Sequence, residues 1–244
     1  MRRFRADLHI HTALSPCASD EMTPPAIVKA AADEGLRMIA VCDHNTSGNA
    51  AAVQRAAGGD LAVIAGMEVT TAEEVHVLGL FPHADAAAAA AGEVKATLPD
   101  VGEGRRMLGG QTLMDERGNT VGTEAKLLAD ASGFALSEAV EMIRRHDGLV
   151  VASHVDRPSF GLIGQLGIFP EDVRFDAVEL TKVGPMAAQS HALLPPGVAV
   201  VASSDAHFLE DVGLRWTELE MEEATFAELR LALAGEGGRE CSVA

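Results

Sequence analysis

The stretch FRADLHIHT, at residues 4–12, sets the pattern on which the rest of the chain is built. It is a short apolar run interrupted by polar groups, and we predict a strand over residues 4–11. Alternation along a strand puts His9 and His11 on one face and Leu8 and Ile10 on the other. Two imidazoles one strand repeat apart can bind a single metal ion. Taken alone, the pair fits two histidines packed in a barrel wall equally well.

Six more apolar runs are typical of strands, at residues 38–42, 61–65, 75–81, 149–153, 177–180 and 198–202. Most show little polar alternation, as strands buried on both faces do. Helical segments separate most of the runs, which indicates a parallel α/β sheet. Seven such strands favour a closed or nearly closed barrel, and an open doubly wound sheet is the competing architecture.

Residues 92–122 break this pattern because they are polar and rich in glycine. Within them, residues 111–121 predict a hairpin that turns near 117–119. We interpret the segment as an insertion over one face of the barrel, either a lid that sets specificity or a mobile loop. The 244 residues otherwise fit a single domain, residues 1–244.

Composition limits the partners that we expect. The formal net charge is −17, which disfavours long-range attraction of duplex nucleic acid, so no duplex partner is expected. Bound cations can still reverse the sign locally for a small phosphorylated substrate. Three cysteines without a C-x-x-C pair fit a reducing cytoplasm, and no apolar run is long enough to predict a membrane span.

Polar groups end or interrupt almost every apolar run. Burying so many unpaired imidazoles and carboxylates would be strongly destabilising, and metal ions remove that penalty by coordinating them. We therefore predict that these side chains converge at one end of the barrel. They are His9, His11, Asp43, His44, Glu68, His76, His154, Asp205 and His207.

The set of motifs resembles the PHP family, the polymerase and histidinol phosphatase superfamily, over nearly the whole chain. The motifs are DLHIHT at 7–12, DH at 43–44, GME at 66–68, HVLG at 76–79, SH at 153–154 and SSDAH at 203–207. The resemblance implies a distorted seven-stranded (β/α)7 TIM-like barrel. It also implies two or three divalent ions of Mn, Zn, Fe or Mg.

The resemblance also implies how the ligands are divided. The first metal would be held by His9, His11, Glu68 and Asp205. Glu68 would bridge to a second metal held by His76 and His154, and His44 and His207 would hold a third.

The third site departs from the family pattern. Alignment back from Glu21 puts Ser19 at the usual ligand position. Asp20 is one residue away and is the ligand that we expect if the loop slips by one residue. Cys17 is a weaker candidate, since cysteine is more often a small buried hydrophobe.

The resemblance implies a phosphoesterase that hydrolyses a small phosphorylated metabolite or nucleotide through a metal-activated water. Glu68 is the central catalytic candidate, and His207 or Asp43 could relay a proton. Asp43 could instead support a ligating histidine.

Two cationic side chains are candidates for binding the substrate. Arg157 could bind a phosphate through two hydrogen bonds from its guanidinium group. It could instead be a surface arginine paired with Asp156. Lys182 is a weaker candidate. The alternative functions are a hydrolase of the amidohydrolase type, acting on a bond other than a phosphate ester, and a non-catalytic metal-binding module.

Overall fold

The computed structural model describes residues 1–101, 110–181 and 192–243. In chain order its strands and helices are β1 (Arg2–Ile10), α1 (Pro24–Asp33), β2 (Met38–Val41), α2 (Ala50–Ala57), β3 (Ala62–Thr70), β4 (His76–Phe81), α3 (Ala84–Thr97), β5 (Thr112–Met114), β6 (Thr120–Thr123), α4 (Leu136–Arg145), β7 (Leu149–Ala152), α5 (Leu162–Leu166), β8 (Ala177–Glu179), β9 (Ala199–Val201), β10 (Thr217–Met221), α6 (Phe226–Ala234) and β11 (Glu240–Val243). A short 3-10 helix, Leu209–Asp211, precedes β10.

The main sheet contains nine strands in the described residues, in the order β11-β10-β1-β2-β3-β4-β7-β8-β9. All seven predicted apolar runs form strands, but the expected count of seven is wrong. Strands β10 and β11 add an antiparallel edge next to β1. Their burial alternates along the strand, so the search for continuous apolar runs missed them.

The sheet curves into a nearly closed barrel. Its far edge comes back towards β10, where the Thr217 hydroxyl donates to the Ala202 carbonyl at 2.9 Å and accepts from the Ala202 amide at 3.0 Å. The barrel interpretation therefore holds at the level of overall architecture. The open doubly wound sheet is not what the structure shows.

The orientation of β4 departs from an all-parallel sheet. Strand β4 is antiparallel to both β3 and β7, whereas β1-β2-β3 and β7-β8-β9 are parallel. The connection from β3 to β4 spans residues 71–75, which is too short for a parallel crossover. Six strands therefore end at the same rim of the barrel, and β4 begins there.

Burial on both faces of the sheet splits the core into two clusters. On β2, Ile39 and Val41 pack with the side chains of helices α1 to α4. Met38 and Ala40, which alternate with them, pack in the second cluster with residues of α6. This two-sided burial explains why the central strands have little polar alternation.

The predicted hairpin is present as β5 and β6, joined by residues 115–119. Residues 92–97 of the proposed insertion continue helix α3, and residues 102–109 lie outside the described part of the chain. The side chain of Asn49 holds the hairpin at the start of α2 through two hydrogen bonds. Its amide nitrogen donates to the Thr112 carbonyl at 3.0 Å, and its oxygen accepts from the Met114 amide at 2.9 Å.

No helix in the described ranges is both long and apolar enough to cross a membrane.

Gly66 and Gly92 allow a test of the packing of the sheet. A Cβ on Gly66 in β3 would lie 2.6 Å from the Cys42 sulfur and 3.0 Å from the Val41 carbonyl oxygen. We expect Gly66→Ala to destabilise the protein by roughly 1–3 kcal/mol through overpacking. Gly92 in α3 has open space around it, so Gly92→Ala should stabilise by about 0.5–1 kcal/mol. Urea unfolding measures both, and equal effects of the two changes would contradict this packing.

Candidate metal centre

Glu68 lies at the centre of a cluster of histidines at the rim where the six strands end. Its side chain is 1% exposed. Its two carboxylate oxygens lie within 3.4 Å of ring nitrogens from five histidines, which come from four strands or the loops next to them. They are His9 (3.4 Å), His11 (3.4 Å), His44 (3.0 Å), His76 (2.9 Å) and His154 (3.2 Å).

Asp205 is the second carboxylate of the cluster. Its Oδ1 lies 3.3 Å from His9 Nε2 and 3.0 Å from His11 Nε2, and the same two nitrogens face Glu68. His207, two residues further on, stacks on His11 with the ring centroids 4.1 Å apart. The SSDAH motif therefore contributes two side chains to the rim.

Three groups of these side chains have ligand atoms within 4.8 Å of one another, close enough to share an ion. They are His9, His11, Glu68 and Asp205; His44, Glu68 and His76; and His11, His44 and His207. The first group is the set that the family resemblance implies for a first metal. His154 contacts Glu68 without joining a group, and Asp43 and Asp20 are in none of the three.

The residues present fit divalent ions. Two ligand atoms that each bind one ion at about 2.0–2.1 Å are themselves roughly 3 Å apart, which matches the distances around Glu68. In addition, the Nδ1 atoms of His44 and His76 are buried and make no hydrogen bond within the described structure, although they face Glu68 oxygens at 3.0 and 2.9 Å. A cation between these atoms would satisfy both nitrogens.

The electrostatics of the cluster favour ionised carboxylates and some neutral imidazoles. Burial raises the pKa of Glu68, but the charges of the surrounding histidines, His76 first, outweigh it and hold that pKa well below its usual range. Burial lowers the pKa of His11, and the neighbouring His207 and His44 lower it further. Ionised carboxylates and neutral imidazoles are the forms that bind metal.

Two supporting side chains were missed from the sequence. Glu179 is buried at the end of β8, and its Oε2 lies 3.0 Å from Nδ1 of His9. A carboxylate on the second nitrogen of a ligating histidine fixes the orientation and tautomer of the ring. The rule that found Glu68, a carboxylate at the end of an apolar run, also fits Glu179. Ser153 donates to Glu68 Oε1 at 3.0 Å.

Asp43 faces the loop after β1 rather than the histidines. Its oxygens accept from the Thr12 amide at 2.7 Å, the Thr12 hydroxyl at 2.8 Å and the Ser15 hydroxyl at 2.6 Å. Ser15 in turn lies 2.9 Å from Nδ1 of His11. This arrangement favours the supporting role that we considered for Asp43 over proton relay.

Asp7, within β1, has a comparable structural role. It accepts from the amide and hydroxyl of Ser204 at 3.0 and 2.6 Å and from the Gly213 amide at 3.0 Å. Burial raises the pKa of Asp7 to about 6, although these hydrogen bonds oppose the shift. Asp7 therefore anchors the loop that carries Asp205 and His207.

Backbone strain marks two of the cluster residues. His154 has φ +28° and Asp205 has φ +52°, in the left-handed region that residues with a side chain rarely adopt. Such strain persists where the surroundings impose it, most often at functional sites.

The remaining site candidates are Arg157, Asp20 and Lys182. Arg157 pairs with Asp205, with Nη1 2.6 Å from Oδ2, and not with Asp156, which accepts from the Thr181 amide and hydroxyl. Asp20 is exposed, lies beside Gly110 and belongs to none of the three groups. Lys182 lies outside the described residues.

Cys17, the weaker candidate for the third site, is beside the cluster. Burial opposes ionisation of its thiol, but hydrogen bonds with His207 and His44 outweigh it and lower the pKa to about 6. The thiol is exposed rather than buried in the core, so it is not the small hydrophobe that cysteine often is.

Solved structures share this fold. Endonuclease Q from Pyrococcus furiosus, described as a lesion-specific endonuclease, superimposes with a TM-score of 0.72 at 22% identity over 98% of this chain. A complex of endonuclease Q with a 27-mer duplex substrate, with an abasic lesion at the active site, has a TM-score of 0.70 at 22% identity and 98% coverage. This chain spans 58% of the length of both.

A protein from Bifidobacterium adolescentis named for metal-dependent phosphoesterase activity has a TM-score of 0.54 at 19% identity. The match covers 83% of this chain and 87% of that one. A search of curated proteins gave no significant match.

The endonuclease Q complex corrects one of our expectations. From the net charge we expected no duplex nucleic acid, and the family resemblance implied a small phosphorylated substrate. That expectation is wrong, because a protein with this fold holds a DNA duplex at its active site. Net charge describes the whole chain and does not report the local field at a site that binds cations.

Two family models match the sequence itself. A model of the PHP domain matches residues 7–162, and a model described as PHP-associated matches residues 196–235. The first begins at the DLHIHT motif and includes Glu68, His76 and His154. The chain therefore belongs to the PHP family.

Proposed function

We propose that this protein is a metal-dependent phosphoesterase that cleaves phosphodiester bonds in nucleic acid. The observation that carries the proposal is the cluster itself, a buried carboxylate surrounded by five imidazoles at the rim of a barrel. The substrate class is supported by the likeness to endonuclease Q in fold.

Two sets of ligands would hold the ions. One comprises His9, His11, Glu68 and Asp205, and the other comprises Glu68 with His76 and His154, which both contact it. When bound, divalent ions hold phosphate oxygens, lower the pKa of water and neutralise charge on the leaving oxygen. Glu68 belongs to both sets and would keep them close together.

The protein's own contribution is to hold these groups in one arrangement. Glu179 orients His9, and Ser15 orients His11 while it also bonds Asp43. Because each support is buried and hydrogen-bonded, the ligands need little reorganisation when an ion or a phosphate arrives.

Arg157 is the cation that we assign to the substrate phosphate. Its side chain is 41% exposed, and it pairs with Asp205 at the edge of the cluster. A guanidinium can donate two parallel hydrogen bonds to a phosphate and recognises it more specifically than an ammonium group.

The alternative hydrolase of the amidohydrolase type has less support. Enzymes of that type usually carry a ligating lysine at a strand end. The described lysines, Lys29, Lys95 and Lys126, pair instead with Asp33, Glu124 and Asp100. The third alternative is a non-catalytic metal-binding module. Such a module would bind metal ions without turning over any phosphate ester.

The substrate class is tested with a panel of phosphate esters and Mn²⁺, Zn²⁺ or Mg²⁺. The panel contains duplex oligonucleotides with and without an abasic site, single strands, bis(p-nitrophenyl) phosphate and p-nitrophenyl phosphate. We expect metal-dependent cleavage of oligonucleotides and a loss of roughly 100-fold or more in Glu68→Gln, because the shared ligand is weakened. The exposed Glu141 on α4 supplies the matched control, and Glu141→Gln should keep full activity. Cleavage of the monoester alone would contradict the substrate class, and full activity in Glu68→Gln would contradict the site.

Arg157 is tested against an arginine of similar exposure. Arg157→Ala should raise KM for an oligonucleotide by roughly 10–100-fold, since hydrogen bonds to charged groups contribute about 1.5–3 kcal/mol. Arg230 on α6 is 44% exposed and pairs with Asp147, so Arg230→Ala should leave KM unchanged. Equal KM values for the two variants would remove Arg157 from substrate binding.

An ion that binds the group of His11, His44 and His207 should release a proton, because His44 is charged in the free protein. Burial lowers the pKa of His44, but the charge of Glu68 outweighs it and the pKa rises to about 10. An ion that binds His44 at pH 7 must displace that proton, so the affinity should rise about tenfold per pH unit for one proton released.

Calorimetry in two buffers of different ionisation enthalpy counts the protons released. We expect at least one per chain at pH 7, and unchanged release in His83→Ala, which alters a histidine at the start of α3 instead. An affinity that does not change between pH 6 and 8 would contradict this account.

A further inference from the structure

The loop after β7, residues 153–161, brings three different groups to the rim of the metal centre. His154 is a candidate ligand of the second ion, and Arg157 is the cation assigned to the substrate phosphate. The third group is the ring of Phe160, which has no part in the proposed function so far. It stacks on His76, with the ring centroids 4.6 Å apart and the planes 21° from parallel.

The backbone fixes Phe160 in this position. Its carbonyl accepts from the His76 amide at 2.9 Å, which ties the loop to the start of β4. Phe160 also has φ +60°, in the left-handed region that a residue with a side chain rarely adopts. The loop is tightly coiled here, because a Cβ on Gly161 would lie 2.4 Å from the Arg157 carbonyl oxygen. The position of the ring is therefore imposed by the fold, as is common for strained residues at functional sites.

The exposure of Phe160 is unusual within this chain. The chain has eight phenylalanines, all within the described residues, and only Phe160 and Phe208 are exposed, by 42% and 49%. Phe208 directly follows His207, so both exposed rings belong to loops that carry histidines of the cluster. Single exposed apolar residues are ordinary on a protein surface. Their restriction to these two loops indicates a surface that receives an apolar or flat partner.

The geometry of the Phe160 ring limits what that partner can be. Stacking on His76 covers one face of the ring, so its exposed area belongs to the edge and the other face. A nucleobase can stack on such a face, and this contact tolerates any base because each base has a π face. Bases inside a duplex are already stacked on both sides. Only a base that is unpaired or turned out of the helix can reach the ring.

We propose that Phe160 is a stacking platform for an unpaired base next to the phosphate that is cleaved. Arg157 and Phe160 are three residues apart on one loop, so the phosphate and the base of a single nucleotide would be held by the same segment. The inference rests on the proposed function and deepens it. It names a single-stranded or locally unpaired nucleotide as the part of the nucleic acid that the site recognises.

A set of single-stranded oligonucleotides tests this contact. Each strand carries one abasic spacer at a successive position around the cleaved bond, and kcat/KM is measured with Mn²⁺ for the wild type and Phe160→Leu. For the wild type, a spacer at one position should lower kcat/KM by roughly 5-fold or more, because one stacked base is lost. Phe160→Leu should lower kcat/KM for the unmodified strand by a similar factor, and the spacer at that position should then cause no further loss.

Two further variants act as controls for the aromatic ring. Phe160→Trp should keep the wild-type pattern, since an indole also stacks on a base. Phe226 on α6 is a half-buried phenylalanine that lies beside Arg230, so Phe226→Leu should leave every strand unchanged.

Fluorescence provides a readout that does not depend on turnover. The adenine analogue 2-aminopurine is placed at the position that the spacer scan identifies, and its emission is recorded on mixing, before the strand is cleaved. We expect quenching by the wild type and much less by Phe160→Leu. Metal analysis should find the same number of ions in both proteins, because leucine keeps an apolar contact with His76.

The outcomes separate this inference from the proposed function. A loss in Phe160→Leu that is equal on all strands, or a lower ion count, would show that the ring only packs against His76 and would overturn the stacking role alone. Unchanged kcat/KM in Phe160→Leu would overturn it as well. A wild-type protein that cleaves no oligonucleotide overturns the proposed function and the base-stacking site with it.

Discussion

The structure depends on the burial of one carboxylate among imidazoles. Glu68 is almost completely excluded from solvent, and its oxygens face five histidines. Burying an ionised group is strongly unfavourable unless it is paired and hydrogen-bonded. Much of the rest of the fold serves that requirement, because Glu179 and Ser153 satisfy neighbouring polar atoms while Asp7 and Asp43 hold the surrounding loops in place.

The topology of the sheet brings these groups together. Parallel strands end at a common rim, so side chains from residue 9 to residue 207 meet although they are far apart in sequence. The reversed strand β4 is part of this arrangement. His76 is its first residue, and the reversal puts it beside Glu68, which lies near the end of β3. A parallel β4 would begin at the opposite end of the barrel.

The sequence was sufficient to predict the buried strands and the residues that meet around Glu68, because both follow from apolar runs and the polar groups at their ends. It was insufficient for β10, whose alternating burial resembles that of an ordinary surface strand. It was also insufficient for the loop after β1, where Ser19 and Asp20 differ by one residue, because the position of a side chain there depends on the hydrogen bonds of the loop. Net charge could not exclude a nucleic-acid partner because it averages over the whole surface, and a protein with this fold holds a DNA duplex.

The central claim is that Glu68 is shared by bound metal ions, and anomalous diffraction tests it most directly. Crystals grown with Mn²⁺ or Zn²⁺ and measured at the absorption edge of that metal should show two peaks that flank the Glu68 carboxylate. One should lie among His9, His11 and Asp205, and the other should lie towards His76 and His154. Metal peaks confined to the protein surface, with none beside Glu68, would contradict the account.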